Sequence, residues 1–204
     1  ILEVMLSKNA SGAVVANDAS LQRANLLTHR CYRLEAAAKN LVVVNHDAQT
    51  LPLELENTFD RLLCDVPCSG DGTLRKSTDL WKKWSNSSGV ELHSIQVNVA
   101  TRALRLLKYD DGGGRLVYST CSLNPLENEA VVVELLQRSR GAIKLVDCSK
   151  MLPGTGEPNR VACHQQDHKH YCTINAINPF QGLPHNNDPD MFDTTPYGMA
   201  AVKY

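Results

Sequence analysis

At 204 residues the chain is long enough for one sizeable domain with a buried core. Its 43% hydrophobic and 21% charged residues are ordinary for a soluble globular protein, and no run of about 18 apolar residues is present to span a membrane. The 21 basic and 22 acidic residues nearly cancel, to a formal charge of −1. Bulk charge therefore gives no argument for nucleic-acid binding and leaves that to a local patch or a further domain.

The opening stretch Ile1–Leu6 has the pattern of the last turns of an amphipathic helix and lacks an initiator Met and the basic flank and long apolar run of a signal peptide. Short runs rich in Val, Leu and Ile then predict strands over Gly12–Asn17, Leu41–Asn45, Phe59–Cys64, Arg115–Ser119 and Ala142–Val146. Helices are expected between them. Leu27, Cys31, Leu34 and Ala38 mark one over Leu21–Ala38; Leu92, Ile95, Val99, Leu106 and Leu107 mark another over Val90–Tyr109; Val131, Val132, Leu135 and Leu136 mark a third over Asn128–Arg138. The run Gly112-Gly113-Gly114 precedes a strand instead of following one, so it reads as a turn and not as a phosphate cradle. Residues 1–150 are thus expected to form an α/β domain, and residues 151–204, rich in Pro, Asn and His and without apolar rhythm, an irregular and poorly ordered tail.

Strands separated by helices imply a mostly parallel sheet with helices on both faces, and ligands in such sheets sit beyond the carboxyl ends of the strands. Polar groups fall at four of those ends: Asp18, Asp47, Asp65 and the stretch Ser119-Thr120-Cys121. A single acid after a strand is ordinarily a helix cap or turn residue; the repetition favours a site. Seven cysteines, an odd number at irregular spacing, fit a reducing compartment better than a disulfide framework.

Two motifs carry candidate chemistry. Asp65-Val66-Pro67-Cys68-Ser69-Gly70-Asp71-Gly72-Thr73 follows a strand that Pro67 ends, which sets a carboxylate and a thiol at the sheet rim. Ser119-Thr120-Cys121-Ser122-Leu123-Asn124-Pro125-Leu126-Glu127-Asn128-Glu129 leads from the next strand into a helix that Asn128 is placed to cap, and a thiol near a helix N-terminus can have a lowered pKa. Either cysteine could instead be a small apolar residue filling a turn or strand end.

Together these two motifs resemble the Sun-domain family of RNA cytosine-5 methyltransferases over about residues 1–148, and the stretch Arg75-Lys76-Ser77 through Trp81-Lys82-Lys83-Trp84 resembles its eukaryotic tRNA-methylating branch. The resemblance implies a Rossmann-like α/β fold that takes S-adenosylmethionine as cofactor and RNA, of the tRNA class, as substrate. It implies Asp18 at the cofactor ribose, Asp47 beside the adenine, Asp65 near the cofactor methionine and the target base, Cys121 as the nucleophile and Cys68 as the thiol assisting product release. It places the family's N-terminal strand and glycine-rich loop upstream of Ile1, so weak cofactor binding is expected of this chain alone. A nuclear or nucleolar location follows by the same resemblance, with no membrane attachment and no obligate protein partner.

Cys163, His164, His168, His170 and Cys172 are zinc-ligand types at a spacing that matches no metal pattern, so no metal site is expected. Trp81 and Trp84 could stack on RNA bases or pack a helix start, and Lys82 and Lys83 could meet phosphate or solvent. The competing functions are a catalytically inactive RNA- or protein-binding form of the same fold, and a cysteine hydrolase, for which His46 and His93 are the candidate partners.

Overall fold

The computed structural model describes residues 12–31, 40–85, 87–109, 113–146, 163–166, 169–176 and 200–203. The expected helix at Ile1–Leu6, residues 32–38 of the first predicted helix, Gly112 and His168 lie outside them. The elements in chain order are β1 (Ala13–Asn17), α1 (Leu21–Cys31), β2 (Leu41–Val44), β3 (Arg61–Asp65), α2 (Leu80–Lys83), α3 (Ser87–Leu106), β4 (Arg115–Thr120), α4 (Glu129–Arg138), β5 (Ile143–Leu145), β6 (Cys163–Gln166), β7 (Lys169–Ala176) and β8 (Ala200–Lys203).

The β-branched valines of β1 and β2 favour extended backbone, and these strands pair in parallel, Val14 with Leu41 through Asn17 with Val44. Parallel pairing also joins β3 to β4, Arg61 with Arg115 through Asp65 with Ser119. In β3 the alternation is clean: Leu62 and Cys64 are buried while Arg61 and Asp65 are exposed. Pairing order across the sheet is β2-β1-β8-β3-β4-β7-β5, with β6 on β7. Because β8 is antiparallel to both β1 and β3, and β7 to both β4 and β5, the five strands β1–β5 run one way. Their carboxyl ends, and with them Asp18, Asp47, Asp65 and Cys121, share one edge of the sheet.

Three segments of the tail expected to be irregular are therefore strands. Their placement has a backbone cause. Rows of N–H and C=O groups on β1, β3, β4 and β5 need partners, and ladder bonds reward a segment whether or not its side chains show an apolar period. The rest of the tail lies outside the described residues.

The main buried cluster draws on Ala48 through Ile143 and centres on α3, which turns Val97, Val99, Ala100, Ala103, Leu104 and Leu106 inward against Leu62, Leu116, Tyr118 and Val131. Each fully buried Val or Leu contributes roughly 1.5–3 kcal/mol. Val14 and Ala24, though buried, lie outside this cluster. The third strand starts two residues later than its apolar run suggests. The N–H groups of Thr58 and Phe59 instead donate to the Leu106 carbonyl at 3.0 Å each, closing the end of α3, and Phe59 bridges to Leu107. This docking also stops α3 at Leu106, short of the predicted Tyr109.

The glycine turn before β4 is tightly built. Gly113 takes a left-handed φ of 75°, and a Cβ on Gly114 would lie 2.8 Å from Leu107 Cβ and 3.1 Å from the Lys108 carbonyl oxygen. Leu107 is fully buried and cannot retreat. Gly114→Ala should cost about 1–3 kcal/mol of stability, read as a Tm lowered by roughly 2–4 °C per kcal/mol in thermal unfolding. An unchanged Tm would mean that the turn relaxes freely.

Candidate active site

Strand β3 delivers Asp65 to the sheet edge, opposite Ser119 of β4, whose hydroxyl donates to Asp65 Oδ1 at 3.4 Å. The Val66 N–H donates to the Ser119 carbonyl at 3.1 Å, and Pro67, which has no N–H, ends the ladder. The chain then turns back through Gly70 at a φ of 75°, where an added Cβ would meet Leu80 Cδ1 at 3.3 Å and Cys121 Sγ at 4.0 Å. A side chain there would press on Leu80 and strain the left-handed backbone. The Gly72 N–H donates to the Cys121 carbonyl at 3.0 Å, and Asp71 Oδ1 accepts from the Leu123 N–H at 2.8 Å. The two motif loops are therefore stitched together.

The loop leaving β4 is equally constrained. Thr120 Oγ1 donates to Asn128 Oδ1 at 2.6 Å, and Asn128 Nδ2 donates to the carbonyls of Ser122 and Asn124 at 3.0 Å each. Asn128 stands just before α4 as expected, but its side chain makes no cap bond to the helix; it folds back to shape the cysteine loop.

These loops bring Cys68 and Cys121 to an Sγ–Sγ distance of 3.0 Å. The Cys121 N–H also donates to Cys68 Sγ at 3.2 Å. The hydrogen bond with Cys121 holds the Cys68 thiol well above its ordinary pKa, and burial adds to this. Cys64 is fully buried, and desolvation followed by the Asp65 charge pushes its thiol up as well, so it stays protonated and packed in the core.

Asp18 and Asp47 lie on the neighbouring pair of strand ends. Asn17 and His46 hold those ends together: Asn17 Nδ2 donates to the His46 carbonyl and the His46 N–H to Asn17 Oδ1, both at 2.9 Å. Asp18 Oδ1 accepts from the Ser20 N–H at 2.8 Å and pairs with Arg23 at 3.0 Å. Asp47 Oδ1 accepts from the Gln49 N–H at 3.0 Å. Asp47 thus caps a short helical turn and Asp18 closes the turn before α1, besides their place at the rim. The structure brings Cys68 and Cys121 into contact, sets Asp65 beside Ser119 at the end of β3, and places Asp18 and Asp47 after the neighbouring strands on the same edge.

Beside the thiol loops, Ser69, Leu80, Lys83, Trp84, Leu92 and Ile95 line an open cavity of about 360 Å³. Trp81 is 69% and Trp84 39% exposed. Neither candidate histidine reaches a thiol. His46 Nδ1 bonds the Asp47 carbonyl, and His93 lies between the Leu126 carbonyl and Glu134. No group of potential metal ligands occurs among the described residues; Cys163 and Cys172 are paired in register across β6 and β7. Glu127 was missed by sequence reasoning. It is fully buried between the two motif loops, yet in Glu127-Asn128-Glu129 it has the pattern of an acid at a helix start, and no signal separates it from Glu129.

The sequence model of the family described as 16S rRNA methyltransferase RsmB/F matches residues 1–192. A multisite-specific tRNA:(cytosine-C(5))-methyltransferase of Saccharomyces cerevisiae is 53% identical over 154 residues, covering 71% of this chain and 22% of that protein. A tRNA (cytosine(34)-C(5))-methyltransferase of Drosophila melanogaster is 45% identical over 153 residues, covering 70% and 20%. The chain spans about a fifth of the length of these curated relatives. The crystal structure of NSun6 from Pyrococcus horikoshii with SFG matches at a TM-score of 0.65 and 27% identity, covering 85% of this chain and 43% of that one.

Proposed function

We propose, because the chain belongs to the RsmB/F methyltransferase family, that it carries the reacting thiols of an S-adenosylmethionine-dependent RNA cytosine-5 methyltransferase acting on tRNA. The observation that carries this reading is the pair of sulfurs 3.0 Å apart at the carboxyl edge of the sheet. S-adenosylmethionine would supply an electrophilic methyl group. Asp18 and Asp47 fit its ribose and adenine side chemically, since carboxylates accept from hydroxyl and amino groups and both stand at the rim where such sheets hold nucleotides.

Cytosine C5 is a poor nucleophile until C6 is attacked. Addition of the Cys121 thiolate to C6 pushes electron density to C5, which takes the methyl group. Asp65, exposed beside Ser119, is placed to hydrogen-bond the N3/N4 edge of the base. Loss of the C5 proton to a base then re-forms the C5–C6 double bond and breaks the C6–S bond. The hydrogen bond with Cys121, then burial, favours the protonated form of Cys68. With its sulfur 3.0 Å from that of Cys121, a Cys68 thiol can hydrogen-bond the departing thiolate and speed release. The target base must leave its stack to enter such a site. The exposed Trp81 and Trp84, with Lys82 and Lys83 between them, offer stacking and phosphate contacts next to it. RNA and the cofactor suffice for this reading, with no obligate protein partner, and a nuclear or nucleolar location accords with it.

A cysteine hydrolase is disfavoured by the engagement of His46 and His93 elsewhere. An inactive binding form of the fold would have no use for two thiols held in contact. The test uses the full-length protein with tRNA carrying 5-fluorocytosine. Fluorine at C5 cannot leave as a proton does, so attack and methyl transfer should leave a covalent protein–RNA complex stable on a denaturing gel and dependent on S-adenosylmethionine. Neither complex nor transfer of labelled methyl to any RNA would overturn the reading; labelling of rRNA but not tRNA would correct the substrate class.

A further inference from the structure

We propose that Glu127 is a positioning residue for the thiol pair, its buried carboxylate tying the Cys68 loop to the Cys121 loop and so setting the distance between the two sulfurs. The functional role of that distance rests on the methyltransferase reading above; the positioning itself does not. Glu127 is 0% exposed, and four donors from three chain segments converge on it. Oε1 accepts from Ser69 Oγ at 2.5 Å and Ser122 Oγ at 2.7 Å. Oε2 accepts from the Ser69 N–H at 2.8 Å and Gln96 Nε2 at 2.9 Å. Ser69 follows Cys68 and Ser122 follows Cys121, so each sulfur is one peptide from an anchored residue. Gln96 Nε2 also reaches the Pro67 carbonyl at 2.9 Å, clamping the first loop from its other side.

Burying a carboxylate is costly unless it is well bonded, and no Lys or Arg is among these partners. Its advantage here is two acceptor oxygens with room for four donors: Oε1 spans the two loops through Ser69 and Ser122, and Oε2 ties the first loop to Gln96 of α3. A glutamine can nearly replace it: the amide oxygen would serve the Ser69 N–H and Gln96, and its NH₂ would donate to the two hydroxyls, which can rotate to accept. An aspartate keeps the charge but falls short by about one C–C bond, ~1.5 Å, and cannot hold both loops where they stand.

The test needs neither RNA nor cofactor. Diamide takes two hydrogens from a pair of thiols to form a disulfide, so the rate of the Cys68–Cys121 bond, followed by peptide mapping in the full-length protein, reports how the sulfurs sit. E127D and E127L should slow that closure by about tenfold to a hundredfold, the cost of an ångström-scale misplacement, while E127Q stays near the unmodified rate. In methyl transfer the same order should appear in kcat, with the KM for S-adenosylmethionine unchanged. A folded E127D that closes the disulfide at the unmodified rate would overturn the proposal, and so would an E127Q as slow as E127D. If E127L fails to fold, the other two variants decide. Sensitive closure without any RNA adduct would sink the methyltransferase reading and leave the positioning role standing.

Discussion

Cys68→Ala is expected to leave the full-length protein covalently attached to RNA, whereas Cys121→Ala is expected to abolish both attachment and methyl transfer. The two sulfurs are in contact, yet their chemistry differs. Cys68 holds its proton because the hydrogen bond to Cys121, then burial, disfavours its thiolate. Cys121, the cysteine of the Ser119-Thr120-Cys121 motif, is the sulfur proposed to attack, and its loss should lower turnover on the order of 10⁴-fold or more, as loss of a nucleophile does. Without Cys68 the attack proceeds, but the leaving sulfur has no S–H beside it. Release should slow by about 10²–10⁴-fold, the usual size of an acid–base contribution, and the adduct should accumulate. Denaturing gels with radiolabelled RNA separate the cases. An adduct with Cys121→Ala and none with Cys68→Ala would reverse the roles; normal turnover by both variants would remove the covalent mechanism.

The second large effect is on stability. Arg102 is almost fully buried on α3, where Nη1 meets Glu56 Oε1 at 2.6 Å and Nη2 bonds the Leu51 carbonyl. Arg105 Nε joins the same Glu56 oxygen at 2.8 Å. These contacts fix the segment after β2, which carries Asp47, against the helix at the centre of the core. Arg102→Met keeps most of the volume but strands the Leu51 carbonyl and leaves Glu56 to Arg105 alone. A loss of about 2–4 kcal/mol is expected, below the full cost of orphaning a buried ion because Glu56 is partly exposed and retains a partner. In urea unfolding this is a lower midpoint at unchanged slope. A loss under about 1 kcal/mol would put the pair in the class of surface ion pairs.

The strands of the first 150 residues were legible because each is a short run of Val and Leu bounded by polar residues, and four of their ends carried the acids or the thiol. Boundaries slipped where the backbone of an apolar residue is engaged elsewhere. Phe59 extends the run before β3, but its N–H closes the end of α3. Strands β6–β8 were not legible, because ladder bonds place them and ladder bonds leave no trace in side-chain pattern. Glu127 was hidden for a related reason. Its meaning comes from Ser69, Gln96 and Ser122, which meet only after the loops fold, and local sequence displays only an acid before a helix.

The core centred on α3 has a kinetic consequence. In sequence α3 lies between β3 and β4, and in space it packs against both; α4, which follows β4, contributes Val131, Val132 and Leu135 to the same cluster. The elements that frame the two thiols are thus a contiguous stretch with short loop closures, the kind of unit that forms early in folding. Val14 of β1 and Ala24 of α1 stand outside that cluster, which β1 meets through the partly buried Val15, so the edge bearing Asp18 is expected to join after it. Substitutions around the thiols are therefore expected to act mainly on the folding rate, and those around Asp18 mainly on the unfolding rate, as the two arms of a chevron plot would show.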